Sequence, residues 1–331
     1  MNPPPAFTSP LASVITRYLD LKIALGRRYT TERQLFRGLD TFLVAEHAAE
    51  LTLEVFERWC QTQAHRKSGI QRTQMRMVRN LCLYRRRTEP ACFVPDVAFF
   101  PPCHQYAPPY LLTEDEIARL LATTRLLYTT SAYPLRAQAI RVGVVLLYTA
   151  GLRRGELLRL TLRDYDPQAH TLLIRASKFH KSRLLPLSAD AVAELAAYLA
   201  VRSAARPDTL TEEAPLIWKG GTALHGYSGS GFGRVFRTLA RKAGVLKANG
   251  QPPRVHDVRH SFAVGALLRW YRAGLNVHAK LPLLSTYMGH VSIASTQYYL
   301  RFVEPVASAA SARFAQHYGH LLTLHAQEET P

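Results

Sequence analysis

The stretch "HTLLIRASKFHKSRLLPLS", His170 to Ser188, has a pattern different from that of the residues around it. Its two apolar runs, "HTLLIRA" and "RLLPLS", flank the polar segment "SKFHKS", which predicts a β-hairpin with Lys178 near its tip. The sequence on either side predicts helices, including "LRAQAIRVGVVLLYTAG" upstream and "ADAVAELAAYLAVRSAA" downstream. We therefore predict a mainly α fold with a small β-sheet.

The chain is long enough for two domains. It has 331 residues, 47% of them hydrophobic, so it can bury a full core. Prolines at 90, 95, 101, 102, 108 and 109 prevent a helix or a central strand there. We predict a helical domain over 1–88, a proline-rich linker over 89–110, and a second domain over 111–331 that opens with a Thr113–Glu116 capping box.

The charge balance is strongly basic. Lys and Arg number 42 against 24 Asp and Glu, a formal net charge of +18. Such a charge favours a polyanionic partner, either nucleic acid or an anionic membrane surface.

The longest apolar run, Val142–Leu152, is too short to span a membrane, and "MNPPPAFTSP" lacks a signal-peptide pattern, so we expect a cytoplasmic protein. The four cysteines form no CxxC pair, and we expect no metal site.

One predicted helix of the first domain, "IQRTQMRMVRNLCLYRRR", has a basic face. Arg72, Arg76 and Arg79 recur at spacings of three and four residues and therefore share one side of the helix. These arginines could contact DNA phosphates, or they could form an ordinary solvated face.

Three further segments contain residues suited to phosphate chemistry. Arg153 follows a Gly-Leu pair, His256 and Arg259 lie one turn apart at the start of a helix, and His290 follows Gly289 at a helix end. Each has an ordinary explanation as a surface charge, a hydrogen-bonded histidine or a helix cap. Their order and joint presence are more specific than any one of them.

The segments "AGLRRGELLRL", "SKFHKSRLLPL", "HDVRHSFA" and "MGHVSIASTQYY" resemble, in the same order, the four motif boxes of the tyrosine recombinase (phage integrase, XerC/XerD-like) family. The resemblance covers about Leu111 to Val303. It implies a core-binding, DNA-binding domain over 1–88 and a catalytic domain with a C-terminal helix over 111–331. Two departures are Ala150 in place of the family's threonine and a longer segment between the His-x-x-Arg helix and the Gly-His pair.

The resemblance implies the catalytic residues Arg153, Lys178, His256, Arg259, His290 and Tyr299. Tyr299 is the implied nucleophile because it follows His290 by nine positions. Adjacent residues on a helix point about 100° apart, so Tyr298 cannot face the same pocket.

This residue set suits attack on a phosphodiester. A free tyrosine has a pKa near 10, which leaves a deficit of roughly 4 kcal/mol for ionisation at pH 7 that a base and positive surroundings can offset. The arginines would clamp the phosphate bidentately. The resemblance implies Lys178 as the proton donor to the departing 5′ oxygen, His256 as the acid/base partner of the tyrosine, and His290 as a donor to the phosphate. No metal ion or cofactor is required.

The resemblance implies a site-specific DNA recombinase of the integrase or transposon type that acts through a 3′-phosphotyrosyl intermediate. Its partners would be double-stranded DNA and further copies in a homo-tetramer, or related recombinases in a hetero-tetramer, with no membrane partner. The segment after Tyr299 would form a helix that docks on a neighbouring protomer or on its own domain. The alternatives are a type IB topoisomerase-like relaxing enzyme and a non-catalytic architectural DNA-binding protein.

Overall fold

The computed structural model describes residues 6–27, 29–102, 108–175, 182–221 and 225–301. The chain forms two compact units, Met1–Ala107 and Pro108–Pro331. Helices predominate and one small sheet is present, which confirms the predicted fold class. Lys178 and the predicted C-terminal helix lie outside the described residues. None of the described helices is both long and apolar enough to cross a membrane.

The first unit is built from four helices within its described residues. They are α1 (Ala12–Ala24), α2 (Thr30–Ala45), α3 (Leu53–Thr62) and α4 (Ser68–Arg85). Thr52 caps α3 by accepting a hydrogen bond from the main-chain N–H of Val55 (3.3 Å). Apolar side chains from all four helices, including Ile15, Phe36 and Trp59, form one buried core.

The second unit contains the remaining described α-helices. They are α5 (Glu114–Thr123), α6 (Arg136–Thr149), α7 (Arg154–Leu157), α8 (Ala189–Ala205), α9 (Gly229–Lys242), α10 (Val255–Arg272), α11 (Val277–Met288) and α12 (Ala294–Gln297). The predicted capping box is confirmed, since Thr113 Oγ1 accepts from the N–H of Glu116 and the Glu116 carboxylate accepts from the N–H of Thr113. The middle of α6 is apolar all round because the helix packs against both α8 and α10.

The sheet has three short antiparallel strands in the order β1 (Tyr165–Asp166), β2 (Thr171–Ile174) and β3 (Arg183–Pro186). The pairing of β2 with β3 confirms the predicted hairpin, with Leu172 opposite Leu185 and Ile174 opposite Arg183. Leu172, Ile174 and Leu185 face the core, whereas Arg183 begins the strand that returns from the tip.

The last described elements form a second apolar cluster within this unit. Residues of α10 and α11 pack around the buried Tyr299. Gly289 ends α11 in the left-handed conformation (φ 65°), as its position in the sequence predicts. Tyr298–Arg301 form a 3₁₀ turn, not the α-helix on which the two tyrosines were predicted to lie, but Tyr299 is still buried while Tyr298 is only partly so.

Candidate active site

Arg153 is positioned by the turn that joins α6 to α7. Gly151 has φ 58°, and a Cβ at this residue would lie 2.4 Å from Cδ1 of Phe262, so the turn requires glycine. Arg153 occupies the N-cap position of α7, and its main-chain N–H donates to Glu156 Oε2 at 2.9 Å. Its guanidinium donates to Glu156 Oε1 and to the main-chain carbonyl of Gly289, both at 2.7 Å.

Arg259 joins the same turn to the end of α11. Its guanidinium donates to the carbonyl of Gly151 and, at 2.7 Å, to that of Met288. The side chain is 1% exposed, and burial together with the nearby charge of Arg153 lowers the pKa of Arg259 to about 10. Arg259 therefore remains cationic at neutral pH.

His290 lies directly after the Gly289 turn and is partly buried, not fully exposed at the helix end as predicted. Its Nδ1 is 2.8 Å from Oγ1 of the buried Thr296, which fixes the orientation of the ring. Burial, then the charges of Arg259 and Arg153, lower the pKa of His290 to about 3. The imidazole is neutral at pH 7.

His256 projects from the first turn of α10, and Arg259 follows one turn later, as predicted. His256 is exposed, and its ring centroid lies 4.7 Å from that of His260. Desolvation by the surrounding protein, with the neighbouring His260 and Arg259, lowers the pKa of His256 to about 4. This histidine is also neutral at pH 7.

Tyr299 is 3% exposed and packs among the histidines. Its ring centroid lies 6.1 Å from that of His290 and 5.5 Å from that of His260. Burial raises the pKa of Tyr299, while the guanidiniums of Arg259 and Arg153 act in the opposite direction without reversing the shift. Positive surroundings therefore do not by themselves ionise the phenol, and a base is needed as well.

The structure thus brings five of the six predicted residues into one region. Arg153 donates to the carbonyl of Gly289 and Arg259 to that of the preceding residue, Met288. His290 and Tyr299 are stacked neighbours. The sixth residue, Lys178, lies outside the described residues. The basic face of α4 belongs to the other unit.

On that face the three arginines differ. Arg72 donates to the carbonyls of Phe100 and Pro101 within its own unit, Arg76 is exposed, and Arg79 is partly buried. Their contact with DNA stays a prediction, for which Arg76 is the most accessible member.

Four residues of the site were not predicted. Glu156 accepts hydrogen bonds from two arginines, Arg183 is the second of these, Thr296 binds His290, and His260 touches both His256 and Tyr299. The one available sequence signal was the spacing of three between Arg153 and Glu156, which is that of a capping box.

A basic cleft of about 480 Å³ opens beside Arg153 and His256. Its charged wall consists of Arg153, Arg154, Arg237 and Arg254. Arg154 lies against the first turns of α9, where a Cβ at Gly229 would be 3.3 Å from its Nη2. Arg254 is paired with Asp257 and Arg153 with Glu156, whereas among the described residues no carboxylate pairs with Arg154 or Arg237.

Comparison with known proteins gives consistent matches. The model of the phage integrase family matches residues 111–304. The chain is 34% identical to a putative integrase/recombinase, y4rB, of Sinorhizobium fredii, over 88% of this chain and 93% of that protein. It is 32% identical to the tyrosine recombinase XerD of Caulobacter vibrioides, over 58% of this chain and 57% of that protein.

Two solved structures share the fold. The Tn1549 transposon integrase in complex with a circular intermediate DNA has a TM-score of 0.63 at 16% identity and covers 92% of this chain and 99% of its own. A lambda integrase dimer bound to a COC′ core site has a TM-score of 0.57 at 17% identity and covers 87% and 76%. The family match over more than half of the chain, with the near full-length likeness to y4rB, shows that this protein belongs to the phage integrase family of tyrosine recombinases.

Proposed function

We propose that this protein is a site-specific DNA recombinase of the integrase or transposon type, which cuts and rejoins strands of double-stranded DNA through Tyr299. The observation that carries the proposal is the placement of Tyr299 against His290, beside the buried Arg259. A phenol, two fixed arginines and neutral histidines form a set suited to transfer of a phosphodiester to tyrosine.

The arginines would stabilise the charge that develops on the phosphate. Attack by the phenolate places negative charge on the two non-bridging oxygens, which a forked guanidinium can bind bidentately. The side chain of Arg153 is 25% exposed and can reach a substrate. Loss of one preorganised donor of this kind costs roughly 3–4 kcal/mol of transition-state stabilisation.

The histidines would accept the phenol proton and donate a hydrogen bond to the phosphate. Since burial raises the pKa of Tyr299, its proton must pass to a base, and the neutral, accessible His256 can accept it. If the hydroxyl of Thr296 donates to Nδ1 of His290, the ring carries its proton on Nε2 and can donate to a phosphate oxygen.

The reaction would proceed by exchange of one phosphate ester for another. The Tyr299 oxygen bonds to phosphorus, the bond to the 5′ oxygen breaks, and Lys178 supplies the proton that this oxygen takes up. The resulting 3′-phosphotyrosine retains the ester until a 5′-hydroxyl of a second strand attacks it and releases the tyrosine. The role of Lys178 rests on the family resemblance.

The charge of the protein supports DNA as its partner. The net charge of +18 and the cleft lined by four arginines, one of them Arg153, favour binding of a phosphate backbone. We further propose that four copies assemble on DNA, that the segment after Tyr299 docks between protomers, and that the protein acts in the cytoplasm. Sedimentation of the full chain with and without its target duplex tests the tetramer, and assembly no larger than a dimer on DNA would contradict it.

Trapping of the covalent intermediate tests the proposed function. Duplexes taken from DNA that flanks the gene, nicked so that the leaving strand diffuses away, would accumulate a protein–DNA adduct. We expect the adduct with the unaltered protein and with Tyr298→Phe, and none with Tyr299→Phe. An adduct that survives in Tyr299→Phe and disappears in Tyr298→Phe would overturn the assignment. Strand exchange between two labelled duplexes then distinguishes recombination from simple relaxation.

A further inference from the structure

Arg183, the first residue of β3, takes no part in the reaction steps above, yet its whole guanidinium is engaged beside the site. It donates from Nη1 to Glu156 Oε1 at 3.1 Å, from Nη2 to Glu156 Oε2 at 2.9 Å, and from Nε to the carbonyl of Tyr287 at 2.9 Å. The side chain is only 11% exposed. Fixing this long side chain costs conformational entropy, which the charge-assisted hydrogen bonds offset.

Glu156 connects Arg183 to Arg153. Its carboxylate is 1% exposed and also accepts from the main-chain N–H and the guanidinium of Arg153. Burial by itself would raise the pKa of Glu156. The hydrogen bonds from Arg183 and Arg153 outweigh this effect and lower the pKa to about 2. A single buried carboxylate therefore binds two guanidiniums. Loss of either arginine would leave the buried charge of Glu156 less well compensated.

The other side of Arg183 rests on the turn that carries His290. A Cβ at Gly289 would lie 2.6 Å from Nη1 of Arg183, so the guanidinium packs directly against the backbone of this glycine. The carbonyl of Gly289 is the one that accepts from Arg153. Arg183 thus contacts the turn at the point where Arg153 binds it.

We propose that Arg183 is a positioning residue for the cleavage reaction: through Glu156 it fixes Arg153, and through Tyr287 and Gly289 it fixes the turn that presents His290. This inference rests on the proposed function. It also gives β3 a role beyond the sheet, because the strand that returns from Lys178 is anchored at its first residue to the other catalytic segments. The positive charge of Arg183 is one of those that keep His290 neutral.

The test compares Arg183→Met and Arg183→Lys with Arg175→Met in the full chain. Arg175 lies on the same hairpin, pairs with Asp164 and has a 47% exposed side chain, so it is a matched control outside the site. Single-turnover formation of the covalent adduct on the nicked duplex gives the rate, and titration of the same duplex gives the affinity. Misplacement of a reacting group by about 1 Å can cost about 10²-fold in rate.

We expect Arg183→Met to bind the duplex within about threefold of the unaltered protein but to form the adduct about 10²-fold more slowly. Arg175→Met should match the unaltered protein in both. Histidine-labelled NMR titration provides a second measurement: the pKa of His290 should rise in Arg183→Met and stay low in Arg183→Lys, which keeps the charge. Arg183→Lys should still be slow, because an ammonium cannot bind both Glu156 oxygens and Tyr287 in the same geometry.

An Arg183→Met protein that forms the adduct at the unaltered rate would overturn the inference, as would a loss of affinity equal to the loss of rate. If Arg183→Met fails to fold, Arg183→Lys decides by the same two measurements. Absence of any adduct with the unaltered protein would instead overturn the proposed function, and the inference about Arg183, which depends on that function, would be overturned as well.

Discussion

His290 and Thr296 are joined by a contact of 2.8 Å between Nδ1 and Oγ1, and Thr296 is completely buried. The hydroxyl lies six residues after the ring and closes the loop between α11 and α12. Since Nδ1 is engaged, the direction in which the other ring nitrogen, Nε2, points is set by the protein.

Thr296→Val should impair cleavage without impairing DNA binding. Valine keeps the shape of threonine but leaves Nδ1 of His290 without its buried partner, at a cost of about 1–3 kcal/mol. We expect the adduct to form roughly tenfold more slowly or worse, measured by single-turnover gel assay. Thr296→Ser should remain close to normal. The control is Thr286→Val, an exposed threonine on α11, and equal rates for Thr296→Val and the control would contradict the prediction.

Gly151→Ala should destabilise the second unit, Pro108–Pro331. The left-handed φ costs an alanine about 1–2 kcal/mol, and contact of its Cβ with Phe262 adds about 1–3 kcal/mol of overpacking. Urea unfolding measures the sum. The matched control is Gly250→Ala, whose φ is 73° but whose Cβ would meet nothing within 4 Å, so only the backbone cost applies. Equal losses of unfolding free energy in the two variants would show that Phe262 moves to accommodate the added Cβ at no cost in stability.

The basic cleft should contribute to the salt dependence of DNA binding. If Arg154 and Arg237 each neutralise one phosphate, replacing either by alanine should reduce the slope of log K against log salt by about 0.9. Fluorescence anisotropy from low to moderate salt measures this slope. Arg119→Ala removes one charge from an exposed site on α5 outside the cleft and should change the slope less. Unchanged slopes in both cleft variants would exclude phosphate contacts there.

Acid should destabilise the second unit from about pH 6.5 downward. The folded-state pKa values of His290 (about 3) and His260 (about 4) lie below the ordinary value near 6.5. The unfolded chain therefore takes up protons first, so this stability is complete above pH 6.5 and is lost as the pH falls, by up to about 1.4 kcal/mol per pH unit for each histidine. Glu156, with its pKa near 2, adds a loss only below about pH 4.5.

Urea unfolding between pH 7.5 and 5 measures this dependence. His260→Gln should make it shallower without removing it, because the pKa values of His290 and His256 stay low. His278→Gln, at an exposed position on α11, should leave it unchanged. An equally steep dependence in His260→Gln would contradict the assignment of the proton uptake.

The features predicted correctly are those with a local signal. The capping box at Thr113, the helix stop at Gly289 and the hairpin around Lys178 each depend on residues a few positions apart. The placement of His256 and Arg259 on one helix face follows from their spacing alone.

The features missed are long-range or environmental. Glu156 meets Arg183 across 27 residues, and no local pattern marks Arg183 as part of the site. The net effect on the pKa of Tyr299 depends on how deeply the ring is buried, which composition and spacing do not determine. The 3₁₀ turn at Tyr298–Arg301 likewise reflects packing on α10, which overrides the local preference for an α-helix.

The burial of Tyr299 affects how the protein engages DNA. A residue that is 3% exposed leaves little surface for a phosphate to approach, so we expect engagement of DNA to include outward displacement of the ring or opening of the residues over it. The measured affinity for a target therefore contains the cost of this rearrangement. Duplexes that bind without inducing it would be held but left intact, so discrimination between sites would be exercised at cleavage as well as at binding.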